Sequence, residues 1–256
     1  MPIITAMILA TVVGVALGLL GGGGSILAVP VLTLILGMGT REAIASSLFV
    51  VAVTSAIAVL IRARTGTVKW GVGVAFGATG MLGGLGGASL GRFVPDSLLA
   101  ILFSGIMIAT ALAMIRGRRT PAPPERPRAR SSHVLRVVIM GVSVGFLTGL
   151  LGAGGGFLIV PALLIFGLPI AAATSTSLLV IALNSTAGLA AQVFATAIPW
   201  ETVLPFTAFA VVGSVAGMLL ARKLSAPTLR KSFGFFVLGV GIIMLTATIL
   251  RLAPLL

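Results

Sequence analysis

Gly18-Leu19-Leu20-Gly21-Gly22-Gly23-Gly24-Ser25-Ile26-Leu27-Ala28-Val29-Pro30 returns in the second half of the chain as Gly149-Leu150-Leu151-Gly152-Ala153-Gly154-Gly155-Gly156-Phe157-Leu158-Ile159-Val160-Pro161. The shared frame is G-x-x-G-x-G-G-[GS]-x-x-x-V-P, and each copy lies between two strongly apolar stretches. Close packing of helices uses glycines four apart, not three in a row, so these clusters read as breaks in the helix. A glycine break at matching places in two halves predicts a substrate site near the bilayer midplane, at the interface of two repeats.

The rest of the composition agrees. Hydrophobic residues make up 58% of the chain and charged residues 8%, against about a quarter charged in soluble domains. Runs long enough to cross about 30 Å of hydrocarbon extend over Ala43 to Ile61, Gly71 to Gly91, Ser97 to Ile115, Ala171 to Val193, Val203 to Ala221 and Ser232 to Leu250. The first apolar run, from Ile3, has no Lys or Arg before it and reads as mature protein, not as a cleaved signal. The net charge of +13 lies in short loops and one linker. It therefore reads as topology signal and predicts no nucleic-acid partner. Arg116, Arg118, Arg119, Arg126, Arg128 and Arg130, interleaved with four prolines, mark 116–133 as a cytoplasmic linker between membrane halves 1–115 and 134–256.

Sliding the chain by 130 residues aligns Gly37 with Gly167, Ser47 with Ser177, Ser55 with Ser185, Trp70 with Trp200, Gly83 with Gly213, Gly87 with Gly217 and Arg92 with Arg222. Chance similarity of apolar sequence would not hold both tryptophans and an arginine in register, so the chain is an internal duplication. The loop charges swap between copies. Arg62, Arg64 and Lys69 face a counterpart loop whose only charge is Glu201, while Arg222, Lys223, Arg230 and Lys231 face the nearly neutral 92–96 bend. Under the positive-inside rule the repeats are inverted, and both termini are external. The fold expected is an all-α polytopic membrane protein of two inverted-topology repeats, each a glycine-broken helical hairpin plus three transmembrane helices. The returning arms, Ile26 to Leu36 and Phe157 to Phe166, rise only about 15 Å and are too short to span. Pro30 and Pro161 either kink those arms or open their helical part.

Non-helical backbone at membrane depth must be packed in protein or line a wet cavity. Gly21, Gly23, Gly24 and Ser25, with Gly152, Gly154, Gly155 and Gly156, are therefore the candidate substrate-binding backbone: successive N–H groups and a following helix N-terminus favour an anion. Hydroxyls and amides inside apolar spans add Ser46, Ser47, Thr176, Ser177, Asn184, Ser185 and Gln192 as neutral donors. Ser47 and Thr54 are seven residues apart, as are Ser177 and Asn184, so each pair shares a helical face. Gly73, Gly77, Gly80, Gly83, Gly84, Gly87, Gly213 and Gly217 read instead as helix-packing glycines. The four acids, Glu42, Asp96, Glu125 and Glu201, all fall at loops or segment ends, so no acidic relay is buried. With one histidine and no cysteine, no catalytic centre, metal site or cofactor is expected.

The paired glycine motifs, the Thr176-Ser177-Leu178 element and the duplication resemble the TauE/SafE sulfite exporter family over nearly the whole chain. In the first half Ala45-Ser46-Ser47-Leu48 stands where that family often has Gly-Thr-Ser-Leu, which keeps the hydroxyls. The resemblance implies a bacterial inner-membrane permease that moves sulfite, sulfonates or related small anions. Composition alone also accommodates a passive anion channel, or a membrane scaffold whose glycines only pack helices.

Overall fold

The computed structural model describes residues 2–22, 25–34, 36–91, 93–94, 96–116, 130–150, 156–192 and 197–252, and all regular structure among them is helical. The first half holds α1 (Pro2–Leu20), α2 (Ser25–Leu34), α3 (Thr40–Ala63), α4 (Trp70–Gly91) and α5 (Asp96–Ile115). The second holds α6 (Arg130–Leu150), α7 (Gly156–Ile165), α8 (Ile170–Gln192), α9 (Trp200–Lys223) and α10 (Ala226–Leu252). Arg41–Ala63, Ile170–Ala190, Trp200–Lys223 and Pro227–Leu250 are long and apolar enough to cross a membrane, and the 22-residue α4 and 20-residue α5 have the length of a span. The protein is a multi-pass membrane protein.

The short returning arms emerge as expected: α2 and α7 are ten residues each and follow the two glycine breaks. Both helices run through their proline, Pro30 in α2 and Pro161 in α7, so neither proline opens its helix. Pro161 cannot donate to the carbonyl four residues back, a single lost bond that a buried helix tolerates. The segment after the linker differs slightly from its expected extent, since α6 already starts at Arg130.

Glycine makes the helix contacts close. A Cβ at Gly14 would collide with the Ala210 carbonyl and one at Gly213 with the Thr11 carbonyl, which brings the backbones of α1 and α9 together. At the duplicated positions, a Cβ at Gly145 would collide with the Gly80 carbonyl and one at Gly83 with the Val142 carbonyl, which does the same for α4 and α6. Backbone approach too close to admit a Cβ is the small-residue packing of membrane helices, where dispersion and not the hydrophobic effect draws helices together. Leu179, Leu183 and Asn184 of α8 fit against Gly73, Gly77 and Gly80 of α4. Along α3 and α8, Leu48 meets Gly188 while Arg62 meets Thr174, so these helices cross antiparallel. Ile115 meets Gly234 and Met107 meets Gly241, so α5 and α10 are antiparallel as well. Large apolar side chains such as Leu60, Leu82, Leu85, Val212 and Ile243 point outward, the surface a bilayer covers.

Candidate functional site

The first glycine break meets the start of α7 and the face of α8. Gly21 leaves α1 at φ +71°, and a Cβ there would lie 2.6 Å from the Thr174 carbonyl oxygen and 2.7 Å from its Cα. One residue on, a Cβ at Gly22 would lie 2.6 Å from the carbonyl oxygen of Gly156, the first residue of α7, and 2.9 Å from Ile181 Cδ1. The first break is therefore wedged between the end of the second break and the middle of α8. Ser177 Oγ donates to the Gly21 carbonyl and to its own Thr174 carbonyl, the latter at 2.9 Å, so α8 is tied directly to the turn.

Of the backbone residues expected to bind, Gly21 and Gly156 are thus placed together in the interior, and Ser25 opens α2. Gly23, Gly24, Gly152, Gly154 and Gly155 lie outside the described residues. The side chains divide into two groups. Ser47 Oγ donates to the Ile44 carbonyl at 2.8 Å, Ser177 Oγ is spent on the carbonyls above, and Thr176 Oγ1 receives the Lys69 N–H at 3.0 Å. The protons of Ser47 and Ser177 are therefore committed to backbone, the local bonding that serine favours inside helices. In contrast, Ser46 Oγ, Ser55 Oγ and Asn184 Oδ1 are buried without a hydrogen-bond partner. Buried polar atoms are normally satisfied, which sets these three apart from the other interior polar groups. The Asn184 amide interchanges donor and acceptor by a 180° turn and so serves either role. Ser185 is buried, and Gln192, half-buried, ends α8.

One residue that sequence reasoning took for a loop charge lies inside. Arg62 is in the last turn of α3; its Nη2 donates to the Gly18 carbonyl at 2.8 Å, and its Nη1 to Thr174 Oγ1 and Ser175 Oγ, each at 3.2 Å. It joins the end of α1, just before the glycine break, to the start of α8. The available signal was its position at the end of an apolar run, opposite Gln192 in the duplicate. No group of three or more metal-ligating side chains occurs among the described residues.

The profile of the family described as sulfite exporter TauE/SafE matches residues 6–244. The chain is 38% identical over 242 residues to a probable membrane transporter protein of Xylella fastidiosa strain Temecula1, covering 90% of each chain. It is also similar to a probable membrane transporter protein of Methanocaldococcus jannaschii, at 30% over 189 residues, 72% of this chain and 69% of that one. A third relative is the probable membrane transporter protein YunE of Bacillus subtilis, 26% identical over 251 residues, 90% of this chain and 92% of its own. No solved structure matches the chain.

Proposed function

The chain belongs to the TauE/SafE sulfite exporter family and is a membrane transporter, not an enzyme, and from that premise we propose that it is a secondary transporter, working as an exporter, of a small anion such as sulfite, a sulfonate or a related organic anion across the bacterial inner membrane. The observation that carries this reading is the contact of Gly22 with Gly156, which brings the first helix break against the N-terminus of α7 in the interior. Backbone N–H groups freed at such breaks, with the N-termini of α2 and α7 following them, form an anion-favouring environment. Ser46, Ser55 and Asn184 offer unpartnered neutral groups on the two antiparallel helices α3 and α8. The site is thus built from neutral donors, and the anion exchanges for another solute as the repeats rock about it.

The inverted arrangement of 1–115 and 134–256 is part of the proposal. It is supported by the swapped loop charges, by the antiparallel crossing of the counterparts α3 with α8 and α5 with α10, and by the matched glycine contacts of α1 with α9 and α4 with α6. The deciding experiment is flux in proteoliposomes of sulfite, methanesulfonate, sulfoacetate and acetate. Saturable counterflow of at least one supports a carrier; linear, unsaturable conductance would make the protein a channel, and no flux of any would remove the proposal.

A further inference from the structure

Apart from the glycine breaks, the end of the molecule that carries the α3–α4 turn and the α9–α10 bend holds a cavity of about 260 Å³. Its polar lining is two guanidiniums and four hydroxyls: Arg62, Arg222, Thr65, Thr67, Thr174 and Ser175. No acidic residue lines it. Glu42 and Glu201 stand in the first turns of α3 and α9, whereas Arg62 and Arg222 stand in the last turns of the same helices, 20 and 21 residues and about 30 Å away. Among the described residues the cavity therefore carries two positive charges and no neighbouring carboxylate.

Capping of α1 explains part of Arg62, since its Nη2 satisfies the Gly18 carbonyl. It does not explain Arg62 Nε, which is buried without a partner. Nor does it explain the exposed Arg222 at the mouth, which enters no ion pair among the described residues. Two like charges around a shared void repel each other, and a buried, uncompensated cation is costly. A small oxyanion offsets the paired charge, because the Arg222 guanidinium matches its oxygens, while Arg62 adds positive charge from a guanidinium already bonded to Gly18, Thr174 and Ser175. The volume suffices for such an ion with several waters of about 30 Å³ each.

The floor of the cavity also has a destination. Thr174 lines it and is the residue against Gly21 at the first glycine break, while Arg62 is bonded to Gly18 three residues earlier. The duplicated positions repeat only part of the arrangement: Arg92 stands for Arg222, but Gln192 stands for Arg62, Ile44 and Ala45 for Thr174 and Ser175, and Ala197 for Thr67. The Arg62 part of the charged lining therefore has no basic counterpart in the duplicate. We propose that the cavity is the docking site through which the transported anion passes between this face, cytoplasmic by the loop charges, and the glycine breaks. This inference rests on the transporter reading above and adds a second, cationic anion site to it.

The test is calorimetric titration of sulfite, and of methanesulfonate as an unreactive sulfonate, into the purified full-length chain and its variants, with sulfite flux measured in proteoliposomes from the same preparations. Arg222→Gln, at an exposed position without a bond to a neighbouring helix, is expected to weaken binding by about tenfold, the equivalent of one charge-assisted hydrogen bond. Lys223→Gln removes the same charge one residue along and outside the cavity, and is expected to change Kd by less than about twofold. Arg62→Lys retains the charge and is expected to change Kd as little as Lys223→Gln does, with elution on size exclusion confirming the fold of each variant. Intact flux with a Kd unchanged in Arg222→Gln, or weakened equally in Lys223→Gln, overturns the docking site and leaves the transporter reading standing. Binding that depends on Arg222 without flux of any anion keeps the site and removes the transporter reading. Absence of both binding and flux removes both.

Discussion

Replacing Gly21 by alanine tests the central contact most directly, because two separate penalties fall on that residue. Its φ of +71° is a left-handed conformation, which costs a Cβ-bearing residue about 1–2 kcal/mol. The new Cβ would also meet the Thr174 carbonyl oxygen at 2.6 Å and its Cα at 2.7 Å, and backbone in the middle of a packed helix has little room to withdraw. Overpacking adds about 1–3 kcal/mol, for a total of about 2–5 kcal/mol. Two controls separate the terms. Gly37, at φ +64° with nothing within 4 Å, should show only the conformational part, about 1–2 kcal/mol. Gly105, in the exposed face of α5 with nothing within 4 Å, should be neutral or gain about 0.5–1 kcal/mol. The assay is reversible unfolding in mixed micelles, followed as fraction folded against denaturing detergent. If Gly21→Ala loses no more stability than Gly37→Ala, α8 does not press on the glycine break, and the contact of that break with α7 and α8 loses its support.

Asn184→Ala removes a buried group whose Oδ1 has no partner, so stability should hold or rise slightly while anion affinity falls by about tenfold; calorimetry and unfolding on the same protein separate the two, and a parallel loss of both would make Asn184 structural. Ser177→Ala should destabilise by about 1–3 kcal/mol, because it strips the Gly21 carbonyl of a buried donor, and an unchanged unfolding midpoint would deny that bond any role. Because the chain lacks cysteine, single cysteines at Arg64 and Ser225 should be protected from an impermeant thiol reagent in intact cells while those at Asp96 and Thr196 label; equal labelling of all four would undo the inverted topology. Gly14→Leu and its duplicate Gly145→Leu should each lower the unfolding midpoint, since both meet a backbone carbonyl across a helix pair, whereas Gly239→Leu, with open space around it, should not.

Much of this architecture was legible because bilayer physics constrains sequence strongly. A ten-residue apolar arm after a glycine run cannot span, so the short helices α2 and α7 followed from counting. The duplication, visible in Trp70 with Trp200 and Gly83 with Gly213, reappears as matched helix contacts for the same reason: inherited small residues keep inherited backbone distances. The polar side chains were less legible. Periodicity puts Ser47 and Ser177 on an inner face, yet whether a serine's single proton goes to a ligand or to a carbonyl depends on neighbours far away in sequence, such as Gly21 for Ser177. Arg62 was hidden by a different ambiguity. An arginine at the end of an apolar run satisfies the positive-inside rule whether it reaches out to water or folds back, and only tertiary contacts with Gly18, Thr174 and Ser175 decide.

The distribution of charge along the proposed path has a kinetic logic. An exposed guanidinium, Arg222, at a mouth near water attracts an anion where its field is partly screened, so capture is aided and the ion is not held for long. The same group at the midplane would act in a low dielectric, where Coulomb attraction is several times stronger and release correspondingly slow. The groups found unpartnered deep in α3 and α8 are instead Ser46, Ser55 and Asn184, each neutral. Neutral hydrogen bonds contribute about 0.5–1.5 kcal/mol apiece, enough in combination to select an oxyanion and weak enough to let it go. With Gln192 where the duplicate would carry Arg62, the two mouths differ in their charged lining, although Arg92 stands in the duplicate for Arg222. A carrier of this form loads more readily from its Arg62 side at low anion concentration. With that face cytoplasmic, as the loop charges require, capture at low concentration is easier from the cytoplasm, while the gradients set the net direction.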